Sequence, residues 1–214
     1  MKMTNRWNRF VYRLWAPIYD ALLERLFGKG RKMAMAVAAP DSGERLCFIG
    51  VGTGSDLLLL PEGTAALGID LSEPMLAQAK KKLPLPNRDV ALRVGDAQSL
   101  PIGDEEEPFD IVVLNLILSV VPDARQCLAE ALRIIRPGGR IVVFDKFLPD
   151  NSIPSLSRRL ANIFSTLFGT NINRRLGNIV SGFPCEVERD EPSILGGMYR
   201  VVLLRNNTGN LEEP

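Results

Sequence analysis

Histidine is absent from the 214-residue chain, and cysteine occurs only at Cys47, Cys127 and Cys185, with no C-x-x-C spacing. Without imidazole, the usual general base is gone, and with it serine-triad and Cys–His chemistry. An odd thiol count without ligand spacing predicts neither a disulfide framework nor a metal site. No apolar run reaches membrane-spanning length. The N-terminal segment is interrupted by Lys2, Arg6, Arg9 and Arg13 and lacks the small-residue cleavage site of a signal peptide. A cytoplasmic protein is expected, whose catalysis rests on positioning or on carboxylate, Tyr, Lys or Asn groups.

Net charge is only +1, but it is unevenly spread. Residues 1–40 carry eight Lys or Arg against Asp20 and Glu24, a balance of +6. Residues 151–180 carry Arg158, Arg159, Arg174 and Arg175 with no acid, a balance of +4, which leaves 1 − 6 − 4 = −9 for the rest. Two basic segments framing an acidic body suit an anionic partner or, equally, solvated helix faces. The acidic body and the lack of a basic stripe with interleaved aromatics argue against nucleic acid.

Along the chain, short apolar runs bounded by Gly, Pro or Asp fall at Arg45–Ile49, Ala65–Asp70, Ala91–Val94, Phe109–Leu114 and Arg140–Phe144, as buried parallel strands require. Helical patterns lie between them at Ser55–Leu60, Ser72–Leu83 and Asp123–Ile135, with Ser72 and Asp123 placed as N-caps. The Arg136–Arg140 stretch, RPGGR, closes the last helix and turns the chain into the fifth strand. This alternation predicts an α/β fold, Rossmann-like and doubly wound, with a mostly parallel seven-stranded sheet, ligands at the strands' carboxyl ends and N-terminal helices. Two later runs, Glu186–Arg189 and Tyr199–Arg205, predict an antiparallel C-terminal hairpin. The expected organisation is a helical lid or membrane-contact segment over 1–40, a main domain over 41–205 with an insertion at 151–180, and a flexible tail over 206–214.

Gly50, Gly52 and Gly54 follow the first strand directly, so ligand atoms can approach backbone N–H groups there. Asp70 ends the next strand, 20 residues after Gly50, where a carboxylate can accept from a ribose diol. The pair suggests an adenosine ligand. A nicotinamide-binding turn is disfavoured because Ser55 stands where the third spaced glycine belongs.

Taken in order, VGTG (Val51–Gly54), GIDLSEPML (Gly68–Leu76), GDAQSLP (Gly95–Pro101), FDIVVLN (Phe109–Asn115) and RPGG (Arg136–Gly139), with Tyr19-Asp20 near the start, resemble class I S-adenosylmethionine-dependent methyltransferases. The ubiquinone/menaquinone methyltransferases and the bacterial phospholipid N-methyltransferases are closest in pattern. The resemblance covers about residues 45–146 and implies S-adenosylmethionine as cofactor. It implies that Gly50, Gly52 and Gly54 line the methionine portion and that Asp70 binds the ribose with Leu71 on the adenine. Asp96 and Ala97 face the adenine amino group, Met75 forms cofactor wall, and Asn115 and Leu116 border the transferred methyl. Purely structural duties are the alternative: a turn at Asp96, core packing at Met75, a strand cap at Asn115. Many relatives carry an acid two residues before the first glycine; here Phe48 stands there, and Asp20, Asp56 or backbone carbonyls are the candidate replacements.

Tyr19 and Asp20 are the candidates to accept the proton of an acceptor amine, by analogy with relatives whose N-terminal segment covers the cofactor, with loss to water as the simpler alternative; Asn115 completes the candidate catalytic set. In residues 1–15, Met3, Trp7, Phe10, Val11 and Leu14 recur at helical spacing opposite Arg6, Arg9 and Arg13. That pattern suits peripheral contact with an anionic membrane or a lid packed on the domain. Arg158, Arg159, Arg174, Arg175 and Lys146 are the candidate acceptor-binding cations, for the phosphate of a small or lipid acceptor. An ethanolamine phospholipid amine is the expected acceptor. Carbon methylation of a quinone precursor, a noncatalytic cofactor-binding protein and an NAD(P)-dependent oxidoreductase are the rivals.

Overall fold

The strands of the computed structural model, which describes residues 26–149 and 170–210, are β1 (Arg45–Ile49), β2 (Ala65–Asp70), β3 (Asp89–Val94), β4 (Phe109–Asn115), β5 (Ile135–Lys146), β6 (Cys185–Pro192) and β7 (Tyr199–Asn206). They form a seven-stranded sheet in the order β3-β2-β1-β4-β5-β7-β6. The first five run parallel, whereas β7 pairs antiparallel with β5 and β6 with β7. Strand order reverses between β1 and β4, and the crevice at such a switch point is where doubly wound sheets bind ligands.

Helices cover both faces: α1 over 26–38, α2 over Glu73–Lys80, α3 over Ala124–Ile134 and the short α4 over Leu176–Val180. Alternate residues of β1 serve the two sides, as the two-residue period dictates. Leu46 and Phe48 join α1 residues Ala34, Met35 and Ala38 in one buried cluster, while Cys47 and Ile49 join Cys127, Leu128 and Ala131 of α3 in the other. Burying side chains of this size stabilises by roughly 1.5–3 kcal/mol each.

Two local contacts set the positions of α1 and α3. At Gly30 a Cβ would lie 2.1 Å from the Phe144 ring, so α1 rests directly on β5. Phe27 and Tyr199 close around the same ring, with centroids 6.3 and 5.7 Å from it. At the start of α3, Asp123 Oδ1 accepts from the backbone N–H groups of Arg125 and Gln126 at 2.9 and 3.1 Å, the N-cap expected from the sequence.

The structure departs from the sequence reading in several places. Ser72 stands at the N-cap of α2, but its side chain makes no capping bond. Helix α2 ends at Lys80, ahead of Pro84 and Pro86, which bias their preceding residues away from helix. The stretch after the glycines forms only a 3₁₀ turn, Asp56–Leu59. Strand β3 begins two residues earlier than expected and, as an edge strand, is only partly covered. Strand β5 begins at Ile135, already paired with Phe109, and regains register at Arg140 opposite Ile111, so RPGG bulges within the strand. The expected flexible tail is structured at its start. Asn206 is buried and donates to the carbonyls of Ile135 and Arg136, and a 3₁₀ turn follows at Thr208–Asn210. No helix among the described residues is long and apolar enough to cross a membrane.

Candidate active site

At the carboxyl ends of β1, β2 and β4 the glycine turn bends back over the sheet. Gly50, Gly52 and Gly54 have φ of +77°, +56° and +79°, conformations that an L side chain adopts only with strain. Gly50 and Val51 N–H groups donate to the Ile69 carbonyl at 2.8 and 2.9 Å, which fastens the turn to β2. A Cβ at Gly52 would meet no protein atom within 4 Å, whereas one at Gly50 would lie 2.7 Å from Ile117. Gly54 does not line the pocket. A Cβ there would lie 2.9 Å from that of Ala79, so its role is to let the turn pack on α2.

Asp70 is held by main chain. Its Oδ2 accepts from Gly52 N–H at 2.8 Å and its Oδ1 from Ser72 N–H at 2.9 Å. Burial pushes its pKa up, and the backbone donors of Ser72, Gly52 and Leu71 oppose that rise. With three backbone donors on four lone pairs, the carboxylate keeps acceptor capacity for a ligand. Leu71, Ser72 and Met75 continue this wall, and Asp96 and Ala97 line the pocket from the loop after β3. Asp96 Oδ1 accepts from both the backbone N–H and the side-chain amide of Gln98, at 3.0 and 3.2 Å.

Across β1 the wall is built from side chains. Asn115, at the end of β4, and Arg31, on α1, both line the pocket, and the buried Asp56 joins them. Arg31 Nη1 donates to Asp56 Oδ2 at 2.5 Å, and Asn115 Nδ2 donates to Asp56 Oδ1 at 3.0 Å. Leu116, with φ +60°, lines the same end and donates its N–H to the Phe144 carbonyl at 2.7 Å. Ile117, Val120 and Val121 complete an apolar margin.

A methyltransferase-domain family model matches residues 48–143, the span that supplies every pocket-lining residue except Arg31. Over 191 residues the chain is 31% identical to a phosphatidylethanolamine N-methyltransferase of Cereibacter sphaeroides, covering 88% of this chain and 92% of that one. It is 30% identical to a demethylmenaquinone methyltransferase of Lactobacillus johnsonii over 82% and 75% of the two chains. The chain belongs to the class I S-adenosylmethionine-dependent methyltransferases. A geranyl diphosphate methyltransferase solved with GPP and sinefungin shares the fold, at TM-score 0.71 and 18% identity over 87% of this chain and 80% of that one. Open space at Gly52 and the remaining acceptor capacity of Asp70 fit the methyltransferase's cofactor.

Beyond the pocket's apolar margin, this methyltransferase carries a buried polar cluster at the ends of β5 and β7. Lys146 Nζ donates to Ser119 Oγ at 3.0 Å and lies 5.4 Å from the Tyr199 ring centroid. Asp145, wholly buried, accepts from Ser119 N–H at 2.8 Å. Burial pushes the Lys146 pKa down, against Asp145, which raises it. Arg174 donates to the carbonyls of Leu118, Val121 and Pro122, so its guanidinium braces the loop after β4. Arg175 sits at the N-cap of α4. Neither Lys146 nor the two arginines line the pocket. Tyr19, Asp20, Arg158 and Arg159, and residues 1–15 with their expected membrane contact, lie outside the described residues. In the turn between β6 and β7, Leu195 and Met198 are exposed, and the Met198 carbonyl accepts from Phe147 N–H at 3.2 Å.

Arg31 escaped the sequence reading. It lies 19 residues before Gly50, outside every motif, and its only local signal is the neighbouring Gly30, which seats α1 on β5. Asp56, one of three candidate ammonium acceptors, accepts from Arg31 and Asn115 and is not among the residues lining the pocket.

Proposed function

We propose that the methyltransferase transfers a methyl group to the primary amine of an ethanolamine phospholipid. The observation that carries this reading is the reach of the similarity to the phosphatidylethanolamine enzyme. It runs over 191 residues, 88% of this chain and 92% of that relative, against 188 residues, 82% and 75%, for the demethylmenaquinone enzyme. Arg158-Arg159 and the exposed Leu195 and Met198 support an acceptor with a phosphate and acyl chains.

When bound, S-adenosylmethionine supplies an activated methyl on a sulfonium, so the chain's task is to bind, orient and exclude water. Asp70 would hold the ribose hydroxyls, with Leu71 against the adenine, Met75 in the cofactor wall, and Asp96 with Ala97 toward the adenine amino group. Gly50 and Gly52 admit the methionine portion close to the main chain, and Asn115 and Leu116 border the reacting end. Alignment of nucleophile and methyl can supply roughly 7–11 kcal/mol of the barrier reduction. Tyr19 and Asp20 take the amine's proton, the role that an absent histidine would otherwise fill.

The test is a product assay on the full chain with labelled cofactor. Vesicles containing phosphatidylethanolamine and a demethylated quinol are offered separately, and the labelled product is identified by mass spectrometry. Label in N-methylated phospholipid is the expected result. Label only in the quinol ring would replace this reading with carbon methylation.

A further inference from the structure

The loop after β4, residues 116–122, supplies the apolar margin of the pocket through Ile117, Val120 and Val121, yet it lies in no strand or helix. Main-chain carbonyls in such a loop still need donors. The Ile117 carbonyl accepts from Val120 and Val121 N–H at 2.9 and 3.0 Å, which closes a tight turn. The carbonyls of Leu118, Ser119, Val121 and Pro122 are met from outside the loop.

One short stretch, more than 50 residues further along the chain, meets all four. Asn171 N–H donates to the Ser119 carbonyl at 2.7 Å. Arg174 Nη1 donates to the Leu118 carbonyl, and its Nη2 donates to those of Val121 and Pro122. The stretch is itself tied down. The Arg174 carbonyl accepts from Leu148 N–H at 2.8 Å, just beyond β5, and Asn173 N–H donates to Asn171 Oδ1 at 2.9 Å.

The sequence placed Arg174 among the cations for an acceptor's phosphate, and the structure spends it differently. Asp145 and Asp123 stand near enough to favour its charge, but both terminal nitrogens are taken up by main chain. A planar guanidinium presents several N–H groups in fixed directions and so reaches carbonyls spread along a turn, whereas a lysine ammonium is a single point charge.

We propose that Arg174 is a positioning residue of the methyltransferase: by holding the carbonyls of Leu118, Val121 and Pro122, it fixes the loop after β4 in the shape that sets Ile117, Val120 and Val121 against the bound cofactor. The inference is independent of which acceptor the enzyme uses, and it rests on the reading that this pocket holds the adenosyl cofactor. Arg174 thereby governs ligand affinity without touching the ligand.

Titration calorimetry on the full chain with S-adenosylhomocysteine tests it. Arg174→Ala is expected to bind about tenfold more weakly than wild type, the low end for lost hydrogen bonds to a charged group. Guanidinium chloride at millimolar concentration should restore most of that affinity, and equimolar sodium chloride should not, a response that a mere loss of stability does not give. Val121→Ala should cost less affinity when Arg174 is already alanine, because both changes act through one loop. Arg174→Lys keeps the charge and most of the stem, should bind severalfold more weakly, and carries the test if Arg174→Ala does not fold. Wild-type affinity in either Arg174 variant, a loss that guanidinium leaves untouched, or full additivity with Val121→Ala overturns the proposal and leaves the cofactor pocket standing. A wild type that binds neither S-adenosylhomocysteine nor 5′-methylthioadenosine, which lacks the amino-acid end, overturns the pocket reading and this inference with it.

Discussion

Two carboxylates serve one pocket by different means. Asp70 is fastened by main-chain N–H groups of Gly52 and Ser72, whereas Asp56 is fastened by the side chains of Arg31 and Asn115. A backbone-held group depends on a turn of a few consecutive residues. A side-chain-held group depends on three elements docking correctly, α1, the 3₁₀ turn and β4. The nucleoside end should therefore tolerate changes in packing that disable the amino-acid end, and each should fail in its own way when its anchor is cut.

The largest effect is expected at the side-chain end. Asp56→Leu leaves the largely buried Arg31 guanidinium without its carboxylate, and loss of one partner from a buried pair costs about 3–5 kcal/mol. Denaturant unfolding should register this loss without any ligand. At the backbone end, Asp70→Asn keeps the shape but places an NH₂ opposite one of two N–H donors, costing about 1–3 kcal/mol. Calorimetry with methylthioadenosine should show affinity falling about 10- to 100-fold. Gly52→Ala forces a Cβ on φ +56° at about 1–2 kcal/mol in the free protein. It should weaken every adenosyl ligand further, because the new methyl projects into the space left for them; thermal melts with and without ligand separate the two parts. If Gly52→Ala and Asp70→Asn spared adenosyl binding while Asp56→Leu abolished it, the contrast would be reversed.

The smallest expected effect lies outside both ends. Burial lowers the Lys146 pKa, so between that lowered value and the unfolded value of about 10.4 the unfolded chain binds more protons. Stability should rise with pH across that window, and Lys146→Met should flatten the rise in melts recorded at successive pH values.

How much could be read from the sequence follows the same division. β1 and β2 have the expected bounds, Arg45–Ile49 and Ala65–Asp70, because each is a continuous apolar run ending at a turn residue. The mostly parallel seven-stranded sheet and the antiparallel C-terminal hairpin also follow from local patterning. Ser72–Leu83 overran because helical periodicity continues past Lys80 while the prolines end the helix. The start of the tail looked loose because Asn206 is polar, yet its amide satisfies two carbonyls of the β5 bulge 70 and 71 residues away. The Arg31–Asp56 pair, 25 residues apart and on unlike elements, has no spacing rule that could announce it.

The hairpin turn has a consequence for variation in this enzyme. Leu195, Gly196 and Gly197 all take positive φ, and the turn joins the two strands at one edge of the sheet with Leu195 56% exposed. Lengthening such a turn costs only about 0.6 kcal/mol per doubling. The stretch can therefore be lengthened or shortened at little cost while the nucleoside cradle, four strands away at the end of β2, keeps its dimensions.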